Sequence, residues 1–238
     1  MTELMDTADA TAVLDDPVGA SLRGRHAHLA RGRGRVAAYV PEVATFVAVP
    51  PDPRPGDWAD LAGLLGGGGL ADLFSCPATP PAGWAPEFAV PGVQMVAAPG
   101  SFDRSAADAD GIAELGPADV PDMLELVGRT RPGPFWPRTV ELGGYLGVRD
   151  RGRLVAMCGE RLRPPGWAEI SAVCTAPEAR GRGLAARLVS EAASRVVARG
   201  ERPFLHVAGD NTGAVTLYRR LGFRTRREVT FRGFRVSA

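Results

Sequence analysis

The sequence predicts an α/β fold with a mixed sheet, in which helices cover strands of both directions. Residues 144–148 and 154–158 are apolar runs on either side of a short charged turn, a pattern typical of a hairpin. Residues 167–175 and 204–208 are further strand-like runs, and an amphipathic segment separates them. Because strands and helices alternate in this part of the chain, we expect helices packed on a sheet.

The helices of this region are indicated by their ends and by one apolar stripe. Residues 117–127 are predicted to form a helix, because Pro117 suits a first turn. A second helix follows residue 183 and stops near Gly200. A short helix that carries Tyr218 and a final strand over residues 227–236 complete the order. The stripe of the second helix comprises Leu184, Ala185, Leu188, Val189, Ala192 and Val196.

The first hundred residues are predicted to form a small additional α/β lobe. Residues 16–31 favour a helix, residues 36–49 one or two strands, and residues 58–65 a short helical piece. Residues 77–91 contain many prolines and are predicted to form a loop. We therefore expect an N-terminal lobe over residues 1–100 and a second domain over residues 101–238.

Composition excludes several classes of protein. Of the 238 residues, 45% are hydrophobic and 23% are charged, which suits a packed globule. The formal net charge of +1 favours neither nucleic acid nor a membrane surface as a partner. No apolar run reaches the ~20 residues of a membrane span, and the acidic N-terminus does not resemble a signal peptide. The three cysteines form no close pair, so we expect no metal site. Since neither a membrane span nor a signal peptide is predicted, we expect a cytoplasmic protein.

A glycine-containing turn between the strand at 167–175 and the following helix is typical of an anion site. Gly181 and Gly183 carry no side chain, so backbone N–H groups at the helix start can approach a pyrophosphate. Arg180 and Arg182 add positive charge. Gly181, Gly183 and Ala186 also fit a loose dinucleotide pattern, but residues 204–208 do not end in the acidic residue that would bind a ribose.

The downstream residues resemble a known family. Arg180, Gly183 and Ala185, followed by Asn211 and by Tyr218 with Leu221, Gly222 and Phe223, are similar to the acetyl-CoA-binding core of the GNAT N-acetyltransferases. The resemblance covers residues 110–238. It implies the acyl-CoA N-acyltransferase fold, with the N-terminal lobe as an addition that resembles two-lobed glycine N-acyltransferases.

The resemblance also implies a role for each matching residue. Val173, Cys174 and Thr175 would run beside the pantetheine arm of acetyl-CoA. Asn211 would bond the amide arm, and Tyr218 would lie near the thioester sulfur. The pyrophosphate would be held by Gly181, Arg182, Gly183, Leu184, Ala185 and Ala186.

The implied reaction is acetyl transfer from acetyl-CoA to a primary amine of a small molecule or peptide, by direct attack. This reaction needs one acid and one base. Tyr218 is the candidate acid. His206 and Glu169 are both candidate bases, with a slight preference for Glu169, and solvent or a group from the first hundred residues is the remaining choice.

The acceptor is expected over the hairpin strands, near Pro134, Phe135, Trp136, Arg138 and Tyr145. Arg138 suits a carboxylate on the acceptor. The alternative function is a CoA-binding regulatory protein that has the fold but no turnover. A monomer or a homodimer is expected in either case.

Overall fold

A computed structural model describes residues 11–102 and 110–237 of the chain. The α-helices are α1 (Pro17–Arg23), α2 (Pro55–Leu65), α3 (Val120–Thr130), α4 (Leu184–Ala198) and α5 (Thr212–Arg220). The strands are β1 (Ala30–Arg33), β2 (Val36–Tyr39), β3 (Val47–Ala48), β4 (Leu70–Leu73), β5 (Ala85–Ala97), β6 (Ile112–Leu115), β7 (Tyr145–Asp150), β8 (Arg153–Glu160), β9 (Trp167–Thr175), β10 (Arg202–Ala208) and β11 (Phe223–Arg235). Short 3-10 helices occupy Val13–Asp15, Ala27–Leu29, Pro117–Asp119, Thr139–Leu142 and Pro177–Ala179.

The central sheet contains strands of both directions. Within the described residues it has eight strands in the order β4-β11-β5-β10-β9-β8-β7-β6. Only β9 and β10 are parallel neighbours in this part of the chain. A second, antiparallel sheet consists of β1, β2 and β3. The mixed α/β fold predicted from the sequence is therefore confirmed.

The central sheet extends across residue 100, the expected boundary between the two lobes. Strand β5 lies between β10 and β11, and β4 pairs with the far edge of β11. Residues 85–91, which the sequence assigned to a loop, are therefore part of a strand. Its prolines are tolerated because β10 pairs with β5 only from Gly92 onwards, so Pro86 and Pro91 lie where β5 has β11 as its one strand neighbour.

Strands β9 and β10 separate soon after they meet. Their parallel register runs from Trp167 opposite Arg202 to Glu169 opposite Phe204. The β8–β9 register shifts nearby, and Ala172 in that stretch of β9 has a left-handed φ of 52°. Because the strands are not bonded beyond this point, a gap opens between their C-terminal halves.

The N-terminal elements pack on the same sheet. Leu14 and Val18 share a buried cluster with Trp167 of β9 and Phe204 of β10. The predicted helix over residues 16–31 is shorter than expected, because α1 ends at Arg23 and β1 begins at Ala30. No helix in residues 11–102 and 110–237 is long and apolar enough to cross a membrane.

Candidate active site

A cavity of about 610 Å³ occupies the gap between β9 and β10. Its wall includes two groups of residues, which we call the cofactor lining and the aromatic lining. The cofactor lining comes from β9, the turn after it and the two following helices, and comprises Val173, Cys174, Thr175, Arg180, Ala185, Asn211 and Tyr218. The aromatic lining comprises Phe46, Asp72, Phe74, Arg161, His206 and Phe231.

The glycine turn before α4 has the backbone geometry of an anion cradle. Gly181 and Gly183 have left-handed φ values of 76° and 72°, which glycine adopts without strain. The space beside both Cα atoms is open, with no other atom within 4 Å of where a Cβ would lie. No side chain caps the first turn of α4. The N–H groups of that turn therefore remain available to a ligand.

The cavity also contains a buried polar atom that fits a bound cofactor. The Thr175 hydroxyl is inaccessible and has no hydrogen-bond partner among the described residues. The Arg180 guanidinium lies close by, since its Nε donates to the Thr175 carbonyl at 3.4 Å. Together with the open glycine turn, these groups fit the polar arm of acetyl-CoA.

The structure separates the predicted cofactor residues into two sets. Those of the cofactor lining face the cavity, whereas Leu184 packs in the core and Arg182 pairs with Asp150 at 2.8 Å on the surface. The residues predicted to hold the pyrophosphate that are absent from the cavity wall are Gly181, Arg182, Gly183, Leu184 and Ala186. Any contact from the two glycines must therefore come from the open turn outside the cavity.

Helix α5 and its N-cap residue place Tyr218 and Asn211 in the cavity wall. The Asn211 side-chain oxygen accepts a hydrogen bond from the Ala214 N–H at 3.1 Å and so caps the helix. This bond leaves the side-chain NH₂ as the group that can reach a ligand. The Tyr218 ring packs edge-on against Phe223 with centroids 6.1 Å apart. Burial raises the pKa of Tyr218, so its phenol keeps its proton.

Of the residues predicted to bind the acceptor, Pro134 lines the cavity, whereas Phe135, Trp136, Arg138 and Tyr145 are absent from its wall. The Phe135 ring packs on Tyr145, with centroids 5.7 Å apart, and Tyr145 is buried. Trp136 packs against the N-terminal core, and Arg138 forms an ion pair with Glu141 at 2.6 Å. Residues 131–133, which precede Pro134, line the cavity with it. The roles of Phe135, Trp136, Arg138 and Tyr145 in acceptor binding stay predictions.

Glu169 lies beneath the cavity wall in a buried ion pair. Its carboxylate accepts hydrogen bonds from Arg161 Nη2 at 2.6 Å and Nε at 2.9 Å, and from the Leu162 N–H at 3.3 Å. His206 Nδ1 lies 2.7 Å from Glu169 Oε1. Burial alone would raise the pKa of Glu169, but the Arg161 charge and the hydrogen bonds of Arg161 and His206 lower it to about 2. The preference for Glu169 as a base does not agree with this geometry, because its carboxylate neither faces the cavity nor binds protons readily.

His206 faces the cavity, but both of its ring nitrogens are engaged. Nδ1 contacts the Glu169 carboxylate, which can only accept, so Nδ1 carries the proton. Nε2 therefore accepts from the Gln94 side-chain NH₂ at 3.1 Å. Burial lowers the pKa of His206, and Glu169 opposes this effect only in part. The imidazole is neutral, and the lone pair of Nε2 already accepts the hydrogen bond from Gln94.

Asp72 lines the cavity as well, although it was not predicted from the sequence. It lies in β4, is 3% exposed and belongs to the aromatic lining. The Thr45 hydroxyl donates to Asp72 Oδ2 at 2.8 Å, whereas Oδ1 is buried without a hydrogen-bond partner in the described part of the chain. A lone carboxylate within the apolar run Leu70–Leu73 was the signal that could have identified it.

A second cavity, of about 700 Å³, lies away from the glycine turn. Its wall includes Ser75, Cys76, Arg227 and Arg232. It contacts neither α4 nor Tyr218. The first cavity is therefore the one that connects with the glycine turn through Arg180 and Ala185.

The fold and the first cavity together define an α/β protein with a cavity between two separating parallel strands. The model of the family described as FR47-like protein matches residues 145–232. A crystal structure from Novosphingobium aromaticivorans DSM 12444, described as a protein of the GNAT family, is 41% identical. The similarity covers 95% of this chain and 99% of that one, with a TM-score of 0.85. The chain belongs to the GNAT family of acetyltransferases, and its predicted resemblance to that family is confirmed.

Two curated relatives match shorter segments. N-alpha-acetyltransferase RimI of Mycobacterium tuberculosis (strain ATCC 25618 / H37Rv) is 38% identical over 96 residues, which are 39% of this chain and 59% of the relative. Mycothiol acetyltransferase of Corynebacterium jeikeium (strain K411) is 40% identical over 67 residues, which are 27% of this chain and 19% of the relative. The matches thus span less than two thirds of each relative. Family membership and these relatives support acetyl transfer to an amine.

Proposed function

We propose that the chain is an acetyl-CoA-dependent N-acetyltransferase that acts on the primary amine of a small molecule or peptide. The observation that carries this proposal is the single cavity that contacts both the cofactor lining and the aromatic lining. A cofactor held by the first group and an acceptor held by the second would meet there. The name of one relative, an N-alpha-acetyltransferase, agrees with an amine acceptor.

The cofactor lining and the glycine turn would hold acetyl-CoA, which supplies the thioester from which acetyl is transferred. Backbone groups of residues 173–175 would bind the pantetheine arm as an added strand does. The open N–H groups at residues 181–186 would bind the pyrophosphate, with Arg180 beside it. The Asn211 NH₂ group would donate to an amide carbonyl of the arm.

Tyr218 would protonate the departing thiolate. Its ring is held by Phe223, and burial keeps its phenol protonated. The hydroxyl could then donate to a thiolate in the cavity. General acid catalysis of this kind contributes about 10²- to 10⁴-fold to a rate.

Direct attack by the amine fits the cavity better than a covalent route. Cys174 is the cysteine in the cavity wall, and burial raises the pKa of its thiol. A protonated, buried thiol is a weak nucleophile. The amine itself is then the attacking group, and no acetylated form of the protein is needed.

A free-CoA release assay tests the proposal across amino acids, polyamines, aminoglycosides and peptide N-termini. We expect CoA release with at least one class of amine, at a rate above hydrolysis in buffer. Acetyl-CoA binding by calorimetry without release to any amine would favour the alternative, a regulatory protein that binds CoA without turnover. The cytoplasmic location and the monomeric or homodimeric state remain predictions.

A further inference from the structure

Asp72 is a buried carboxylate of which only one oxygen is hydrogen-bonded within the described residues. Its Oδ2 accepts a hydrogen bond from Thr45, but its Oδ1 has no partner among the described residues. Such a group is costly to bury unless a ligand completes its bonds. Since Asp72 belongs to the wall of the candidate active site, that ligand would lie in the cavity.

The one cation beside Asp72 in the cavity wall is already neutralised. Arg161 lies over the Phe74 ring, with its guanidinium carbon 4.5 Å from the ring centroid. Two of its nitrogens bind Glu169, at 2.6 and 2.9 Å. The charges of Arg161 and Glu169 therefore balance, and the negative charge of Asp72 can pair with another cation.

The two bases predicted from the sequence have no free acceptor position. Glu169 accepts four hydrogen bonds, from Arg161, His206 and the Leu162 N–H, which fills the lone pairs of its two oxygens. His206 Nε2 accepts from Gln94. Asp72 Oδ1 is thus the unoccupied carboxylate acceptor in the aromatic lining.

We propose that Asp72 binds the ammonium group of the acceptor and takes its proton, as the general base of the acetyl transfer proposed above, on which this inference rests. The ammonium loses two protons in the reaction. The first moves to Asp72 Oδ1 and then to solvent. The amine nitrogen then bonds to the acetyl carbon as the carbon–sulfur bond breaks. The second proton leaves the nitrogen through solvent and replaces the one that Tyr218 gives to the CoA thiol.

The electrostatic environment of Asp72 supports this assignment. Burial raises the pKa of Asp72 to about 6, although the Thr45 hydrogen bond and the Arg161 charge oppose the effect. The titratable groups that face it are Arg161, His206 and, behind them, Glu169. On β11, Gly233 lies opposite Asp72, and Arg232 donates instead to backbone carbonyls. A base with this pKa is ionised at neutral pH and still accepts a proton readily.

The test is Asp72→Asn, with Asp52→Asn as the matched control on the surface, where Asp52 pairs with Arg35 at 2.9 Å. The most reactive amine of the release assay serves as substrate. We expect Asp72→Asn to lower kcat by about 10²- to 10⁴-fold and to abolish the acidic limb of the pH–rate profile near pH 6. The acetyl-CoA dissociation constant and all parameters of the control should not change.

Thermal unfolding separates this loss from misfolding. The pKa of Asp72 is higher in the folded chain than its ordinary value of 3.8, so ionised Asp72 destabilises the fold as pH rises through that range to about 6. Asp72→Asn should therefore melt no lower than the wild-type protein at pH 7.5 and should gain nothing at pH 4. If the Asp72→Asn variant does not fold, the same kinetic and unfolding measurements are made on Asp72→Ser.

Three outcomes would overturn the inference. A retained acidic limb and kcat in folded Asp72→Asn would exclude Asp72 as the base. A raised KM with unchanged kcat would reduce its role to binding the ammonium, and would also refute proton transfer. Failure of the wild-type protein to acetylate any amine, despite binding acetyl-CoA, would remove the proposed function and this inference with it. The first two outcomes leave the proposed function intact.

Discussion

At the scale of single residues, Arg161 of the cavity wall lies near two carboxylates, Glu169 and Asp72, which have different roles. Glu169 balances its charge and orients His206, whereas Asp72 lies in the cavity wall with a buried Oδ1 that has no hydrogen-bond partner among the described residues. The Phe46 and Phe74 rings lie 5.2 and 4.5 Å from the Arg161 guanidinium carbon. We infer that Glu169 positions this group of side chains and does not itself take a proton.

Glu169→Gln should therefore act on stability. The substitution removes the carboxylate that is hydrogen-bonded to the buried Arg161, at a cost of about 3–5 kcal/mol near neutral pH. The folded-state pKa of about 2 lies below the ordinary 4.5, so the carboxylate stabilises the fold above that range, and this stabilisation is lost as pH falls toward 2. Urea unfolding at pH 7 and pH 3 measures the difference, which should shrink in acid.

Glu87→Gln is the control for this prediction, because Glu87 pairs with Arg235 on the surface. It should leave the unfolding free energy unchanged at both pH values. If Glu169→Gln unfolds like the wild-type protein but loses the acidic limb of the rate profile, Glu169 is the base and the positioning role is wrong.

Tyr218→Phe should lower kcat by about 10²-fold or more, because only a proton donated in the transition state is removed. The acetyl-CoA dissociation constant should stay the same, since the ring and its packing on Phe223 remain. Steady-state kinetics and calorimetry measure the two effects. Tyr145→Phe, which changes a buried tyrosine outside the cavity wall, should have no effect on kcat. Equal losses of binding and rate would instead make Tyr218 structural.

Single residues were predictable from the sequence where local spacing fixes their position. Asn211 and Tyr218 are seven residues apart, so the helix that joins them places both at the cavity wall. Asp72 has no such local signal, because only tertiary folding brings β4 beside Arg161. Phe135 packs on Tyr145, and the sequence could not indicate this contact, because an aromatic side chain after a proline suits a core as well as a binding site.

At the scale of elements, the junction between β9 and α4 determines where a cofactor can bind. The turn places two left-handed glycines directly before the unpaired N–H groups of the helix. The bounds of β9 agree with the sequence prediction over residues 167–175 because an apolar run ends there at a turn. Strand β5 was missed, because its pairing on one side tolerates prolines that usually indicate a loop.

Gly183→Asp should weaken acetyl-CoA binding by about tenfold or more. The carboxylate would occupy the cradle, and its charge would replace an attraction of up to about 2 kcal/mol by repulsion. Calorimetric titration measures the change. Gly200→Asp is the control, because Gly200 has a similar φ of 78° and open space beside it at the other end of α4. Both variants share the backbone strain, so equal affinities would refute the cradle.

At the scale of the whole molecule, the first hundred residues complete both the sheet and the cavity. Strands β4 and β5 belong to the central sheet, and Phe46, Asp72 and Phe74 belong to the cavity wall. The sequence could not predict this arrangement, since the strands that neighbour β5 lie more than a hundred residues away along the chain. The expected lobe is thus continuous with the sheet of the catalytic region.

A chain that begins at residue 101 should fail to fold. Without β5, the facing edges of β10 and β11 would lose their common neighbour, and the apolar surface of β9 and β10 would be exposed. Circular dichroism and thermal unfolding measure the outcome against the full chain. A cooperative unfolding transition with retained acetyl-CoA binding would show that residues 101–238 are an independent domain.

We propose that the cavity between β9 and β10 holds the cofactor and meets the acceptor beside Asp72. A crystal structure of the complex with coenzyme A tests this proposal. We expect the pyrophosphate against the backbone of residues 181–186, the pantetheine arm along residues 173–175, and the thiol near Tyr218. Coenzyme A bound instead in the cavity of Arg227 and Arg232, with the glycine turn free, would contradict it.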